Sequence, residues 1–384
     1  MVRWEGAVVL VRRELPKGGG GEPAMWRFWN SVPRKRALLA SALSVSGGAR
    51  ALEALGRARG RSIVVLTYHR IAQPGLESNP YYDPVVSATP EGFRDQMLML
   101  RRRFRVLRPL DLLEPTERTD DGKPIAIVTF DDGYRDNHDA ALPILQELGI
   151  SATFFIPTDF FEHPRLPWWD HVAHILKKTQ IPRLAPRRWP GDDSPPAIEL
   201  GPNPSPENRA SAIARIIRLF LDGEVRDESF FLSQLEEQAD VAVDSPALGR
   251  DLFMSWEHLR RLASLGHGIG SHGHAHVALG PLADPDQRRD LALSRTILEM
   301  AVGGEVRTIA YPYGWPGAFG PRTIELAGEV GYSLGFTAVE GINRPDEPDF
   351  NPLALRRLNV GSGDTPALLR GRAALHGAVA RSLL

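Results

Sequence analysis

Residues Ile125–Phe130 (IAIVTF) form a short, almost wholly apolar run that ends in Asp131, Asp132 and Gly133. β-Branched and aromatic side chains favour a buried strand, and the run is too short for a core helix. Asp and Gly favour turns, so the strand should end where the carboxylates begin. Two adjacent carboxylates at the end of a buried strand are costly unless a cation or a shared proton compensates them. A solvated turn without further role is the alternative.

This run belongs to a strand–helix–strand alternation, which predicts an α/β fold with parallel strands. A helix over Ala140–Leu148, closed by Gly149, separates it from the next strand, Ala152–Ile156. Thr89 and Ser255 are predicted to cap the helices that begin beside them. Further segments of strand composition lie at 62–68, 267–271, 307–310, 334–337 and 356–360.

The chain divides into parts of different composition. Residues 1–60 contain a glycine-rich, linker-like arm and a helical segment at 34–58, residues 61–365 form the α/β domain, and residues 366–384 form a terminal helix. Inside the α/β domain, residues 180–250 hold proline-rich, polar segments around two helical stretches, Arg209–Leu221 and Glu228–Gln238. We expect these residues to form a helical insertion over the main fold.

The composition excludes several classes of protein and site. The 384 residues carry a formal net charge of −1 without a basic stripe, so no nucleic-acid partner is expected. Cysteine is absent, so His, Asp or Glu would have to hold any metal. No apolar run has the length of a spanning helix and no export signal stands out, so a cytoplasmic protein is expected. Residues 34–58 could dock peripherally on a membrane, although packing on the body of the protein is the preferred interpretation.

A histidine cluster follows the strand at 267–271. His272 and His276 are four residues apart, and on one helical turn this spacing places both imidazoles on the same side, within reach of one cation. His274 lies between them and should point elsewhere. Two imidazoles and one carboxylate of the Asp131–Asp132 pair give a three-ligand site with positions open for water and substrate. The other carboxylate is then the natural general base. A histidine-rich surface loop is the alternative.

Three motifs in fixed order carry a resemblance to a known family. They are TFDDGY at Thr129–Tyr134, SHGHAH at Ser271–His276 and YPYG at Tyr311–Gly314. Across residues 62–361 the chain resembles the metal-dependent polysaccharide deacetylases with a NodB-type homology domain, carbohydrate esterase family 4. The resemblance implies a distorted (β/α) barrel, here with a helical insertion, and a site at the carboxyl ends of the strands.

The resemblance also implies roles for individual residues. Asp131 would be the general base, and the backbone N–H of Tyr134 would bind the developing oxyanion. Tyr313 would line the sugar pocket. The ligands of a divalent metal, expected to be Zn²⁺, would be Asp132, His272 and His276.

One departure from the family pattern concerns the partner of the base. Ala310 stands where the third motif often has an arginine, and Arg356 or Arg357 could replace it. Arg357 is also grouped with the residues expected to bind substrate, together with Trp169 and Asp170. Trp169 could stack on a sugar or belong to the core, and Asp170 could be a helix N-cap or a site residue.

A second departure concerns the general acid. The usual histidine of the family lies late in the chain, where this sequence has only His376, deep in the terminal helix. The stretch LTYH at Leu66–His69 resembles deacetylases in which the barrel elements are permuted and the acid follows the first strand. We therefore expect His69 to protonate the leaving amine.

The predicted function is removal of an N-acetyl, or another N-acyl, group from an amino sugar in a glycan, oligosaccharide or glycoconjugate. Alternatives are a deacylase of a non-carbohydrate small molecule, an O-acetyl esterase, and a catalytically silent glycan-binding module. An intact set of Asp131, Asp132, His272 and His276 argues against the silent module. A glycoside hydrolase would need two separated carboxylates rather than adjacent ones. Neither the glycan nor the oligomeric state is predicted.

Overall fold

The computed structural model describes residues 48–58, 60–75, 79–113 and 123–378. The predicted linker-like arm, the first part of the 34–58 segment and the end of the terminal helix lie outside these residues. Within them, the N-terminal segment is a helix over Gly48–Ala58, and the terminal helix spans Pro366–Ala378.

Seven parallel strands close into a barrel. They are β1 (Ile63–Tyr68), β2 (Ile125–Phe130), β3 (Thr153–Ile156), β4 (Gly268–Ser271), β5 (Thr308–Ala310), β6 (Leu334–Glu340) and β7 (Leu355–Asn359). Each strand pairs with the next one along the chain, and β7 pairs with β1 to close the ring. The predicted (β/α) barrel is confirmed, with every predicted strand of it present.

Alternation along the strands decides which side chains enter the barrel. A buried cluster that includes Val65, Ile127 and Phe336 fills the interior, and Val65 lies beside Ile127 in the register of β1 and β2. Successive side chains of a strand point to opposite faces. The face of β2 that carries Ile127 therefore continues through Thr129 to Asp131, so the interior becomes polar at its carboxyl end.

Helices and short turns connect the barrel strands. Two predicted N-caps are confirmed: the Thr89 side chain accepts the N–H of Gly92 at 3.1 Å, and Ser255 forms a capping box with His258. The predicted cap at Gly149 is confirmed by its φ of +64°. The helices are Pro90–Arg103, Leu142–Leu148, Thr158–Glu162, Ser245–Leu252, Trp256–Ser264, Asp284–Val302 and Pro321–Val330, with a π-helical turn at Asn137–Ala141.

Residues 80–82 and 166–245 form a separate compact unit. It contains the helices Trp168–Lys178, Pro206–Leu221 and Glu228–Ala239, and all three were predicted, the first with a later start. Inside this unit the rings of Trp168 and Phe220 stack with 4.3 Å between centroids. An antiparallel strand pair, Arg183–Leu184 with Ile198–Glu199, escaped prediction because two-residue strands carry no periodic signal.

The helix Gly48–Ala58 packs against the terminal helix Pro366–Ala378. Arg370 donates to both carboxylate oxygens of Glu53, at 2.6 and 2.9 Å. Between the helices, a β-carbon on Gly56 would lie 3.3 Å from the carbonyl oxygen of Gly377, so only a small residue fits there. Among the residues that the structure describes, no helix is long and apolar enough to cross a membrane.

Candidate active site

The carboxyl ends of the barrel strands bring charged side chains together. They come from the end of β1 (His69), the end of β2 (Asp131 and Asp132), the loop after β4 (His272 and His276) and β7 (Arg357). The exposed fractions of Asp131 and Asp132 are only 2% and 3%. Buried carboxylates must be compensated by nearby cations or hydrogen-bond donors. The nearest partners are two imidazoles for Asp132 and the guanidinium of Arg357 for Asp131.

Asp132 faces two imidazoles. Its Oδ1 atom lies 3.4 Å from Nε2 of His272 and 3.1 Å from Nε2 of His276. The candidate ligand atoms of these three buried residues all lie within 4.8 Å of one another. Although it is buried, Oδ1 of Asp132 forms no hydrogen bond of acceptable geometry with any described residue. The imidazoles nevertheless outweigh the effect of burial, which raises the pKa of Asp132, and hold that pKa well below its ordinary value.

His272 is oriented for this arrangement by its other ring nitrogen. Nδ1 of His272 lies 2.7 Å from the carbonyl oxygen of Ala310, so Nδ1 carries a proton and Nε2 is the ring nitrogen that faces Asp132. One carboxylate oxygen and two imidazole nitrogens form a donor set that suits a divalent metal ion. The three residues therefore fit the metal site that the sequence predicts.

The predicted helical turn at His272–His276 is wrong, although its two outer histidines do converge. The segment is an irregular loop in which Gly273 and His276 have φ values of +71° and +52°. A helix would place the imidazoles on one face by spacing alone, whereas this loop does so through its tertiary contacts. His274 turns away as expected, and its Nδ1 atom lies 2.8 Å from Oγ1 of Thr158.

Asp131 is held by Arg357. The guanidinium donates to both carboxylate oxygens, from Nη1 to Oδ1 at 2.8 Å and from Nη2 to Oδ2 at 2.7 Å. Its Nε donates to the carbonyl oxygen of Thr337 at 2.7 Å. Burial raises the pKa of Asp131, but the adjacent Arg357 outweighs it and holds that pKa below its ordinary value. Asp131 is therefore ionised at neutral pH.

Of the two arginines considered as the partner of the base, Arg357 has the required position. It is 1% exposed and lies on the same strand face as Leu355 of the core cluster, whereas Arg356 belongs to the opposite face. Since its donors are directed to Asp131 and Thr337, Arg357 is placed to orient the carboxylate rather than to contact a substrate, contrary to its grouping with substrate-binding residues.

His69 is fixed through its backbone at the end of β1. Its N–H donates to Oγ of Ser87 at 2.9 Å, and its carbonyl oxygen accepts from Nδ2 of Asn137 at 2.6 Å. Burial lowers the pKa of His69 below its ordinary value, and the charges of Asp131 and Asp132 oppose that effect. The imidazole is therefore within electrostatic range of both aspartates.

The late histidine of the sequence, His376, lies in the terminal helix. Its Nε2 atom is 3.5 Å from Oε1 of Glu340, which also accepts from Arg372 at 2.9 Å. This carboxylate and its partners form a polar cluster of their own. Burial raises the pKa of Glu340, but His376 and Arg372 outweigh it and lower that pKa.

Tyr134 and Tyr313 flank the charged residues. The buried ring of Tyr134 stacks on Phe253 with 5.3 Å between centroids, and the carbonyl oxygen of Gly133 accepts the N–H of Met254 at 3.0 Å. The half-buried ring of Tyr313 lies 5.1 Å, between centroids, from that of His276. These contacts anchor the segment that carries the Tyr134 N–H and place Tyr313 beside the metal-ligand group.

Backbone strain is concentrated in this region. In the described residues, the non-glycine positions with positive φ are Asp132, His276, Tyr313 and Asp240. The first three belong to the candidate site. Such conformations persist only where the surrounding structure enforces them, and they occur preferentially at functional sites. Residue type gives only a weak signal for them, because positive φ is uncommon even for aspartate and histidine, which adopt it more often than most residues do.

Trp169 and Asp170 belong to the separate unit of residues 80–82 and 166–245. Both are buried, and Asp170 accepts the backbone N–H of Tyr82 at 2.9 Å. The helix that contains them begins at Trp168 with Pro167 as its N-cap, so the N-cap prediction for Asp170 is wrong. Their part in substrate binding stays a prediction.

The sequence profile of the polysaccharide deacetylase family matches residues 118–182 and 203–335, just over half of the chain. The matched ranges contain the two aspartates, both candidate histidine ligands and Tyr313. They exclude His69 and Arg357, the residues proposed where the chain departs from the family pattern. A curated relative is YxkH of Bacillus subtilis, named as a polysaccharide deacetylase, with 25% identity over 126 residues. The match covers 33% of this chain and 43% of YxkH, so the chain spans less than half of that relative.

Solved structures with a similar fold include a de-N-acetylase from Aggregatibacter actinomycetemcomitans, with a TM-score of 0.50 and 14% identity, covering 81% of this chain and 99% of that one. The Streptococcus pyogenes deacetylase PplD has a TM-score of 0.49 and 17% identity, covering 80% of this chain and 96% of its own. At this identity the Aggregatibacter structure shows a shared fold alone. Together with the profile match, the closed barrel and its ordered motifs lead to one conclusion: the chain belongs to the polysaccharide deacetylase family.

Proposed function

We propose that the protein is a metal-dependent hydrolase that removes an N-acetyl, or another N-acyl, group from an amino sugar in a glycan, oligosaccharide or glycoconjugate. One observation carries the proposal. A buried carboxylate that Arg357 keeps ionised, Asp131, is the immediate neighbour of a group of three metal-ligand side chains. Membership of a deacetylase family supports the same reaction.

The proposed ligands are Asp132, His272 and His276, and the proposed ion is Zn²⁺, which binds carboxylate and imidazole donors readily. Three protein ligands leave coordination positions for water and for the acyl oxygen. When bound, such an ion supplies Lewis acidity to the acyl carbonyl and lowers the pKa of water.

Asp131 is the proposed general base. Its carboxylate lies 3.9 Å from Nε2 of His272, one of the proposed ligands, so it borders the place where the attacking water must lie. Because Arg357 holds the pKa of Asp131 below its ordinary value, the carboxylate is ionised and has a free lone pair for a proton. The bidentate contact also prevents rotation of the carboxylate away from the water.

Three further residues are proposed to act on the oxyanion, the leaving amine and the sugar ring of the substrate. The backbone N–H of Tyr134 is proposed to donate to the oxyanion that forms on the acyl oxygen. His69, within electrostatic range of Asp131, is proposed to donate a proton to the nitrogen of the leaving amine. Tyr313 offers an aromatic face beside His276 on which a sugar ring can lie.

Incubation of the purified protein with a panel of N-acetylated amino sugars, their oligosaccharides and cell-wall fragments tests the proposal. Mass spectrometry should show loss of acetyl groups and gain of free amines, and Asp131→Asn should abolish both. Turnover of acylated small molecules or O-acetyl esters alone would replace the amino-sugar substrate by one of those classes. Glycan binding without turnover, equal in wild type and Asp131→Asn, would indicate a binding module instead.

A further inference from the structure

The loop between the two histidine ligands has no regular secondary structure, yet several of its backbone groups are hydrogen-bonded to neighbouring elements. The N–H groups of His274 and Ala275 donate to Asp290, at 2.8 and 2.9 Å. On the other edge, the carbonyl oxygens of Gly273 and His274 accept the N–H groups of Thr158 and Asp159, at 3.3 and 3.0 Å. The loop is therefore held from two sides.

The support extends to the start of the loop. The N–H of Gly273 donates to Oγ of Ser271 at 3.1 Å, and that hydroxyl lies 2.8 Å from Oγ of Ser294. Ser294 and Asp290 are one turn apart on the helix Asp284–Val302. One face of this helix therefore contacts the loop at successive points.

Asp290 is the charged side chain in this set of contacts. It is 8% exposed, and its two carboxylate oxygens are divided between the two loop amides, Oδ1 to His274 and Oδ2 to Ala275. The loop approaches it closely, since a β-carbon at Gly273 would lie 2.9 Å from Oδ1 of Asp290. Hydrogen bonds from amides to a buried carboxylate are among the stronger ones in proteins. Nothing in the sequence pattern distinguishes this aspartate from the other acidic residues of its helix.

Both Gly273 and His276 have a positive φ, and the contacts to Asp290 help to hold the loop in that conformation. Glycine adopts a positive φ freely, but at His276 this conformation is strained and persists only where neighbours enforce it. Since the direction of the His272 and His276 side chains depends on that conformation, whatever fixes the loop also fixes the two imidazoles relative to Asp132. Outer partners of metal ligands commonly tune metal affinity in this way.

We infer that Asp290 is a positioning residue for the metal site: its carboxylate locks the His272–His276 loop so that both imidazoles converge before any ion arrives. The inference rests on the proposed metal-dependent function but concerns metal binding alone. It assigns Asp290 no contact with substrate or with the ion.

The test compares metal binding by the full-length, metal-free protein and two matched variants. Asp290→Asn keeps the shape of the side chain but replaces one acceptor by an amide that faces a loop N–H. Asp286→Asn makes the same change one turn earlier on the same helix, where the carboxylate is exposed and pairs with Arg289 at 3.2 Å. Thermal unfolding of each metal-free variant first verifies that it is folded.

Titration with Zn²⁺ against a competing chelator should show about 10- to 100-fold weaker binding in Asp290→Asn, and wild-type affinity in Asp286→Asn. Asp290→Glu, which retains both acceptor oxygens, should bind better than Asp290→Asn. Absorption of bound Co²⁺ should differ between Asp290→Asn and wild type even at saturation. Equal affinity and equal spectra in wild type and Asp290→Asn would overturn the inference, as would a wild type that binds no Zn²⁺.

A measurement on the wild type alone guards against variants that fail to fold. In the metal-free protein, the amides of His274 and Ala275 should exchange with solvent about as slowly as those of β4. Fast exchange would mean that the loop is not locked in advance and would overturn the inference. Deacetylation assays on the same samples separate the two proposals, because weaker metal binding in Asp290→Asn without any wild-type deacetylation would contradict only the proposed function.

Discussion

Arg357 donates both terminal nitrogens of its guanidinium to the two carboxylate oxygens of Asp131, across 226 residues of sequence. Both side chains are at least 97% buried, and the pair lies where the interior of the barrel changes from apolar to charged. An ion pair of this kind fixes the direction of a carboxylate as well as its charge. Ala310 on β5 stands where the third family motif often has an arginine, and in this protein Arg357 on β7 provides the guanidinium instead.

Replacement of this arginine should therefore reduce turnover. In Arg357→Gln we expect the deacetylation rate to fall by about 10²-fold or more, the scale of general acid–base catalysis. The free energy of unfolding should fall by ~3–5 kcal/mol, because a buried carboxylate loses its cation. Arg356→Gln, on the opposite face of the strand, is the matched control and should be close to wild type in both assays. If Arg356→Gln lost activity and stability while Arg357→Gln stayed close to wild type, Arg356 would be the partner of Asp131 instead.

The pH dependence of kcat/KM should change in a defined direction. Arg357 holds the pKa of Asp131 below its ordinary value, so wild-type activity should persist until the pH falls through that low pKa. In Arg357→Gln, burial acts without the opposing cation and raises the pKa of Asp131. The acidic limb of the pH–rate profile should then move to higher pH. An unchanged limb would mean that Asp131 is not the group that must be ionised.

Substitution of Asp132 should impair metal binding, whereas substitution of Asp131 should impair turnover alone. Dialysis against a chelator should abolish activity, and Zn²⁺ should restore it. Asp132→Asn and His276→Gln should lose most of the bound metal, measured by elemental analysis, because each removes one of three ligands. Asp131→Asn should keep the metal and lose turnover. Full activity of a preparation shown to be free of metal would contradict the proposed function.

The acid role of His69 should depend on the leaving group. For an N-acetyl substrate, His69→Ala should lower kcat by about 10²-fold or more, since amine departure requires protonation. An activated aryl ester has a leaving group that departs without a proton, so the loss there should be much smaller. His376→Ala is the control, because its imidazole lies beside Glu340 in a separate polar cluster, and it should be unaffected with both substrates. Equal losses on both substrates would argue for a structural role of His69.

A glycine beside the site should be irreplaceable for steric reasons. Gly314 follows Tyr313, has a φ of +64°, and a β-carbon there would lie 2.5 Å from the backbone nitrogen of Ala338. Gly317→Ala is the control, since that position has a φ of +99° but nothing within 4 Å.

Left-handed strain should lower the free energy of unfolding by ~1–2 kcal/mol in both alanine variants. The clash should cost Gly314→Ala a further ~1–3 kcal/mol and reduce its activity through the displaced Tyr313. Chemical denaturation measures the free energy of unfolding of both variants. Equal values would show that the loop around Gly314 rearranges to admit a β-carbon without loss of stability.

The sequence by itself determined the fold and the chemistry of the site. Short β-branched runs separated by capped helices predicted parallel strands covered by helices. The barrel itself was an expectation drawn from the family that the three ordered motifs resemble. The Asp131–Asp132 pair and the paired histidines were also visible, because residue type and spacing restrict which chemistry is feasible. Thr89, Gly149 and Ser255 marked helix ends, since caps depend on neighbours in sequence alone.

Tertiary structure decided how these residues meet. His272 and His276 converge through a strained loop held by Asp290 and by the backbone of another helix, not through the helical turn that their spacing favours. Only barrel closure shows that Arg357, rather than Arg356, reaches Asp131, because the face of a strand depends on its register. Contacts between segments far apart in sequence have no local signal, and these contacts set the direction of each reactive side chain.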